Sequence, residues 1–507
     1  MRLRRLHVLL SGLSCTALGV VTLPAHAENW RVTTGMSTRA IVSDNINFSA
    51  TAPSSDTLIE LSPNVRLSRT SPRLTLDASY LPRYLYYADD TYDDRLSNGF
   101  SILGRAEVVD DFFFLDARAV STQRSQSVFN AVPTDNTIAS NQLSQSRTYS
   151  ITPSLRGTVR LGDVATWKSS YNIVRSDLSG GTQAGTLTSE TFTGTLASTP
   201  AKVGWQVDVS STKTDSDYSQ STDRKRIVGS LNYRPDATVT LTGRYGYEDT
   251  NFSSQRSGAT YGAGVSWRPD PRTSMRADVD QRPYGRTNTI NLSHRLPRTT
   301  LSATYNRNLT TRAEALLSQG EVDRFDFLET LPQFQAITDQ TQREQAMQAF
   351  LTLRGLSRFD SIQGVILSDR QFLQSRLQLS ASYSSSRGLL SLTVFRTTSD
   401  SGVGGRSTTA NDDFSLSPVI TQRGWTANYN HKVSALSSVN LSLTSSKSDG
   451  QAGTGINADR DVLNATWTRK LGAYTNGSIG LRMTRATVTD GDVDENAVIA
   501  TLSTRFN

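Results

Sequence analysis

The feature that most restricts this chain is a two-residue period with chemically opposite faces. In RLTLDASYLPRYLYYADD, residues 73–90, one set reads Leu74, Leu76, Ala78, Tyr80, Pro82, Tyr84 and Tyr86. The other reads Arg73, Thr75, Asp77, Ser79, Leu81 and Arg83. Side chains alternate across a strand, so this is a strand between two different solvents. The pattern returns along the chain: Leu155, Gly157, Val159 and Leu161; Val239, Leu241, Gly243, Tyr245 and Tyr247; Met275, Ala277 and Val279; Ile479, Leu481 and Met483. Each set alternates with Arg, Asp, Ser or Thr. A second sheet cannot pack cheaply on a face that carries Arg and Asp in segment after segment. Tyr and Trp gather near segment ends, as at Trp205, Trp267 and Trp467, where interfacial aromatic belts lie. The alternating cores run roughly 9–11 residues, the span of a tilted membrane strand. The chain therefore reads as all-β: a transmembrane up-and-down antiparallel β-barrel of about 22 strands, with 18–24 as the bounds.

Turn chemistry gives the meander. Tight turns are expected at Ser71-Pro72, Asp110-Asp111, Gly162-Asp163, Thr199-Pro200, Pro235-Asp236, Pro269-Asp270-Pro271, Pro297-Arg298, Arg387-Gly388 and Gly472-Ala473. Longer polar connections at 124–147, 178–188, 400–411 and 449–459 alternate with them. Short turns on one side and long loops on the other match periplasmic and extracellular ends. Residues 412–433 read as one long strand or two. Arg396 and Arg469 fall in the apolar register and are expected near strand ends, where they can snorkel.

The N-terminus reads as a secretory signal over residues 1–27. Arg2, Arg4 and Arg5 precede an apolar run and the Ala25-His26-Ala27 cleavage site. The mature barrel is then 28–507. The signal carries three arginines and no acid, so the formal charge falls from +7 to +4 on cleavage. With basic residues dispersed, no nucleic-acid partner is expected. Cys15 is the one cysteine, so the mature chain has no thiol chemistry.

One segment breaks the period. Residues 312–371 contain TDQTQREQAMQAFLTLRGL, which reads as a helix with an apolar stripe of Ala346, Met347, Phe350, Leu351 and Leu353. It is a partly helical loop, either a surface cap or a constriction folded into the lumen.

Catalytic chemistry is not evident. His294 and His431 lie in the apolar register and read as interfacial. The acid groups Asp89, Asp90, Asp93, Asp94 and Asp490, Asp492, Asp494, Glu495 lack metal-ligand spacing and read as solvated loop charge. No enzyme activity, cofactor or metal is expected. The lumen register is richer in Arg than in acids. Arg66, Arg73, Arg83, Arg156, Arg160, Arg244, Arg276, Arg376 and Arg482 are expected to line it and to favour anions.

The closing VIATLSTRFN is a strand with an aromatic end, Phe506. It resembles the signal by which Gram-negative barrels reach their assembly machinery, although Asn507 follows the aromatic. Ser43–Ile46 (SDNI), Glu60–Leu67 (ELSPNVRL) and the Tyr-rich stretch Tyr80–Tyr87 resemble a family of outer-membrane β-barrels associated with PEP-CTERM/exosortase and exopolysaccharide clusters. The resemblance implies an integral outer-membrane protein that serves exopolysaccharide export or assembly, or surface protein sorting. Its expected partners are outer-membrane lipid and lipopolysaccharide, the assembly machinery, and polysaccharide or export-complex proteins. A general anion-preferring porin and a plugged structural or adhesive barrel are the other readings.

Overall fold

A computed structural model of the chain describes residues 30–130, 143–161, 163–180, 184–199, 201–251, 257–312, 314, 322–323, 359–360, 366–403, 412–489 and 491–506. The signal segment and the helix expected within 312–371, with its stripe Ala346 to Leu353, lie outside the described residues.

The barrel begins with β1 (Trp30–Ser43), β2 (Asp56–Thr70), β3 (Leu74–Tyr87), β4 (Arg95–Val109), β5 (Phe113–Ser125), β6 (Leu143–Leu161), β7 (Asp163–Ser179) and β8 (Gly185–Ser198). It continues with β9 (Val203–Ser216), β10 (Ser219–Tyr233), β11 (Val239–Thr250), β12 (Ser257–Asp270), β13 (Thr273–Arg282), β14 (Gly285–Arg295) and β15 (Thr299–Thr310). Two short strands, β16 (Val322–Asp323) and β17 (Phe359–Asp360), pair only with each other. The wall is completed by β18 (Phe372–Ser384), β19 (Gly388–Asp400), β20 (Val419–Lys432), β21 (Ser437–Asp449), β22 (Asn457–Lys470), β23 (Thr475–Val488) and β24 (Gly491–Arg505).

Each wall strand pairs antiparallel with its sequence neighbour, and β1 pairs with β24 from Gly35↔Arg505 to Ser43↔Ala497. The sheet is thus a closed cylinder of 22 strands with no free edge. The ambiguous 412–433 region resolves into a one-turn helix, Asp413–Leu416, followed by the single strand β20. Pro269 and Asp270 belong to the end of β12, so that turn is tighter than the sequence suggests. Strands run from 10 residues in β13 to 19 in β6. That exceeds the membrane-spanning minimum, and the excess carries the wall beyond the bilayer.

The two faces separate as the period requires. One face exposes apolar side chains from almost every strand, including Val209, Leu231, Leu292, Leu392 and Leu481. Trp205, Tyr233, Trp267, Tyr383, Tyr429 and Trp467 form a belt near the short-turn end. Tyr171, Tyr247, Tyr261 and Trp425 stand near the other end. An apolar surface framed by aromatics on a closed cylinder is a lipid surface. The other face is interior: Ile46 and Phe48 of the 44–55 connection fold over it and pack against Ile41, Leu58, Leu85, Tyr87, Val493 and Ala497.

Candidate lumen and outer gate

The interior wall is divided by chemistry. On β1–β3 and β10–β14 it is charged and zipped. Glu60 lies 3.7 Å from Arg39 and 3.9 Å from Arg83, and Arg66 holds Asp77. Arg282 donates to Glu248 at 2.8 and 3.0 Å, and Arg276 to Asp278 at 2.6 Å. Arg244 on β11 spans β12 to reach Asp278 and, at 3.1 Å, Asp280 on β13. That reach is open because β12 presents Gly262 and Gly264 inward, where a Cβ would collide with those same carboxylates. Arg482 and Glu495 are buried together, and Ser43 Oγ on β1 donates to Glu495 at 3.0 Å.

On β18–β21 the interior wall is neutral. Gln378 and Ser380 face inward on β18, Thr393 on β19, Thr426 and Asn428 on β20, and Ser442 and Thr444 on β21. Arg376 and, at the strand end, Lys432 are the only charges in that register on these four described strands. Hydroxyls bond across strands, as in Ser380 with Thr393 at 3.3 Å and Thr426 with Thr444 at 3.1 Å. Gln374 Oε1, Asn428 Oδ1, Asn430 Nδ2 and Asn440 Oδ1 have no partner among the described residues.

The arginines expected in the lumen divide accordingly. Arg66, Arg83, Arg244, Arg276 and Arg482 stand on the inner face, held by carboxylates. Arg376 is also there and donates to Gln378 at 2.9 Å. Arg73 and Arg156 instead pair with Asp110 and Asp111 in the β4–β5 turn, at the periplasmic rim. Arg160 is exposed near the tip of the β6–β7 hairpin, which runs past β5. Alternation continues through a strand end, but the lumen does not, so register alone placed these three too deep. Pairing also cancels much of the inner arginine charge, which weakens the basis for anion preference. Phe506 N donates to Thr34 O at 2.8 Å beside the closing seam. His294 and His431 lie in the lipid-facing register, at 2.9 Å from Thr273 Oγ1 and 3.1 Å from Tyr429 Oη. Among the described residues no group of three or more His, Cys, Asp or Glu is arranged to hold a metal ion.

At the long-loop end, connections from distant parts of the wall turn inward and meet. Val128 N, in the β5–β6 connection, donates to Asp413 Oδ2 at 3.2 Å, in the β19–β20 connection. Val128 and Phe129 join Ile366, Phe372, Phe414 and Ile420 in one apolar cluster. Ser368 Oγ and Arg370 both donate to Asp412, at 2.7 and 3.2 Å. Asp412 also caps the one-turn helix by accepting from Ser415 N at 3.0 Å. From the same stretch Asp369 accepts from Ser216 Oγ at 2.6 Å and pairs with buried Arg312, and Gln371 donates to Thr222 at 2.6 Å. Leu367 packs on Leu178. The base of the 312–371 insertion is therefore an inward tie among β7, β9, β10 and the β19–β20 connection. Nothing in the alternation marks these residues, because they lie in aperiodic connections.

Asp413 is the strained member of this gate. Burial pushes its carboxyl up to about 7, with bonds from Ser127 and Val128 N opposing and neighbouring Asp412 adding to the rise. An undocked carboxyl ionises near its ordinary value of about 4. Between about pH 4 and 7 the docked form keeps a proton that the undocked form has lost. Docking is thus favoured as pH falls and weakens as pH rises to about 7, by about 4 kcal/mol in all.

Closed antiparallel topology, a lipid-facing apolar belt and a polar interior define an integral outer-membrane β-barrel. No protein-family model and no characterised protein sequence matches the chain. Solved structures share the fold at low identity. The FrpB iron transporter of Neisseria meningitidis, F5-1 variant, is 10% identical with a TM-score of 0.50, over 95% of this chain and 81% of that one. Its F3-3 variant is 11% identical with a TM-score of 0.50, over 94% and 82%. The siderophore receptor PiuA of Acinetobacter baumannii is 11% identical with a TM-score of 0.43, over 93% and 82%.

Proposed function

We propose that this barrel is a gated channel for surface polysaccharide export or assembly, passing an uncharged or weakly charged sugar chain. The observation that carries this is the neutral wall of β18–β21. Sugar hydroxyls donate and accept at once, and Asn, Gln, Ser and Thr meet them in both roles. The charged walls of β1–β3 and β10–β14 are ion-paired, so they offer a hydrophilic surface with little net field to trap a passing chain. The resemblance to barrels of exopolysaccharide clusters supports the same reading. Of the two roles that resemblance implies, export is favoured, since protein sorting gives no reason for a hydroxyl- and amide-lined wall.

The test is permeation through liposomes that contain a gate-weakened Asp412→Ala barrel. Neutral maltodextrins are expected to enter faster than sulfated oligosaccharides of the same size. Faster entry of the sulfated series would favour an anion porin instead. Exclusion of both would favour a plugged structural barrel.

A further inference from the structure

The lipid-facing side carries an arrangement that the channel reading leaves unused. Arg396 on β19 lies directly opposite Arg423 on β20. Like charges facing each other on adjacent strands repel, and Arg396 is four residues short of the end of β19, with Leu377 of β18 on its other flank. The sequence placed it at a strand end; the structure puts it at the upper margin of the apolar belt, above Val394 and Trp425. Arg423 has an acidic neighbour at 3.5 Å, Asp449, while Arg396 has no ion pair or hydrogen bond among the described residues. The nearest outward acid on β19, Asp400, lies four residues further up and accepts from Gly402 N at 2.8 Å. Immediately above the two arginines stand Thr398 and Thr421, 3.4 Å apart.

The rest of the outer rim differs. Arg175 pairs with Asp177 at 3.0 Å, Lys213 with Asp215 at 3.0 Å and Lys225 with Asp223 at 3.4 Å. Arg286 and Arg307, on the β14–β15 side of the patch, have no carboxylate partner among the described residues. Arg286, Arg307 and Arg396 thus form a run of outward arginines without a carboxylate partner among the described residues, across the consecutive wall strands β14, β15, β18 and β19.

We infer that Arg396, Arg423, Thr398 and Thr421 form a binding site for a phosphate of the outer-leaflet glycolipid, lipopolysaccharide. Two guanidinium groups and two hydroxyls supply the donors that a phosphate accepts, and the phosphate relieves the facing arginine charges. Val394, Trp425 and Leu379 lie below it, at the level of the acyl chains, and Leu377 lies beside Arg396. A lipid is favoured over free anion because these donors border the apolar belt on the outer surface and not the lumen.

The test uses the full barrel, delipidated in detergent and titrated with bisphosphorylated lipid A and with the same lipid enzymatically dephosphorylated. An Arg396→Ala/Arg423→Ala variant is expected to lose about tenfold or more in affinity for the phosphorylated lipid. An Arg175→Ala/Lys213→Ala variant, on the ion-paired side, is expected to bind as the wild type does. Wild type should bind the dephosphorylated lipid about tenfold or more weakly than it binds the phosphorylated form. This comparison needs no substitution in the barrel that binds it, so it decides the matter even if the double variant fails to fold. Equal binding of both lipids by wild type, equal loss in the control variant, or displacement by millimolar inorganic phosphate overturns the assignment.

Discussion

An Asp412→Ala barrel is expected to conduct severalfold more than the wild type in planar bilayers. Asp412 is the point at which two parts of the outer gate join. It accepts from Ser368 and Arg370 of the stretch that precedes β18, and from Ser415 N of the helix that carries Asp413 and Phe414. Alanine removes the cap and leaves Ser368, itself buried, without its acceptor. Lost bonds of this kind cost roughly 1–3 kcal/mol each, more where a charge is involved. The ladders of the wall are untouched, so the barrel itself should keep its fold and its resistance to unfolding. An unchanged distribution of conductance steps would mean that these connections do not limit the path.

The second large effect concerns the closing seam. Arg482 on β23 and Glu495 on β24 are 1% and 0% exposed, and Ser43 of β1 adds a third strand to the group. Removing one member of a buried pair strands the other in a poorly hydrated site. Arg482→Ala is therefore expected to destabilise the barrel by roughly 3–5 kcal/mol. Urea unfolding in detergent micelles, followed by heat-modifiable migration, measures this directly. A second variant, Arg482→Met with Glu495→Leu, removes both charges and is expected to recover most of the loss. A single variant as stable as wild type would contradict the role given to the pair.

The wall was legible in the sequence because a strand's two faces are written in alternate residues. Leu74, Leu76 and Tyr80 point to lipid and Asp77 and Arg83 inward as the period requires, and the turns at Ser71-Pro72, Pro297-Arg298 and Gly472-Ala473 bound strands where Pro and Gly end the ladder. The depth of a residue was less legible. Arg73 and Arg156 share the inward register but stop at the periplasmic turn, and Arg396 stands below its strand end. Period two gives a side, whereas depth depends on how far each strand overruns the bilayer. The gate was not legible at all. Val128 and Asp413 are 285 residues apart, in connections without period. Their meeting depends on the curvature of the whole cylinder, and Asp412-Asp413 looked like the start of an uncertain strand.

The most direct test of the gated-channel account is single-channel conductance of wild type and Asp413→Asn at about pH 5 and about pH 8. Asp413 is buried in the contact between the two inward connections, and its proton is retained up to about pH 7 only while they remain docked. Wild type is expected to be largely closed at the acidic pH and to open progressively as pH rises toward about 7, with no further change above it. The asparagine variant, which cannot ionise, is expected to stay largely closed at both. A wild-type conductance that is large and independent of pH, or an asparagine variant that opens with pH as wild type does, would contradict the account.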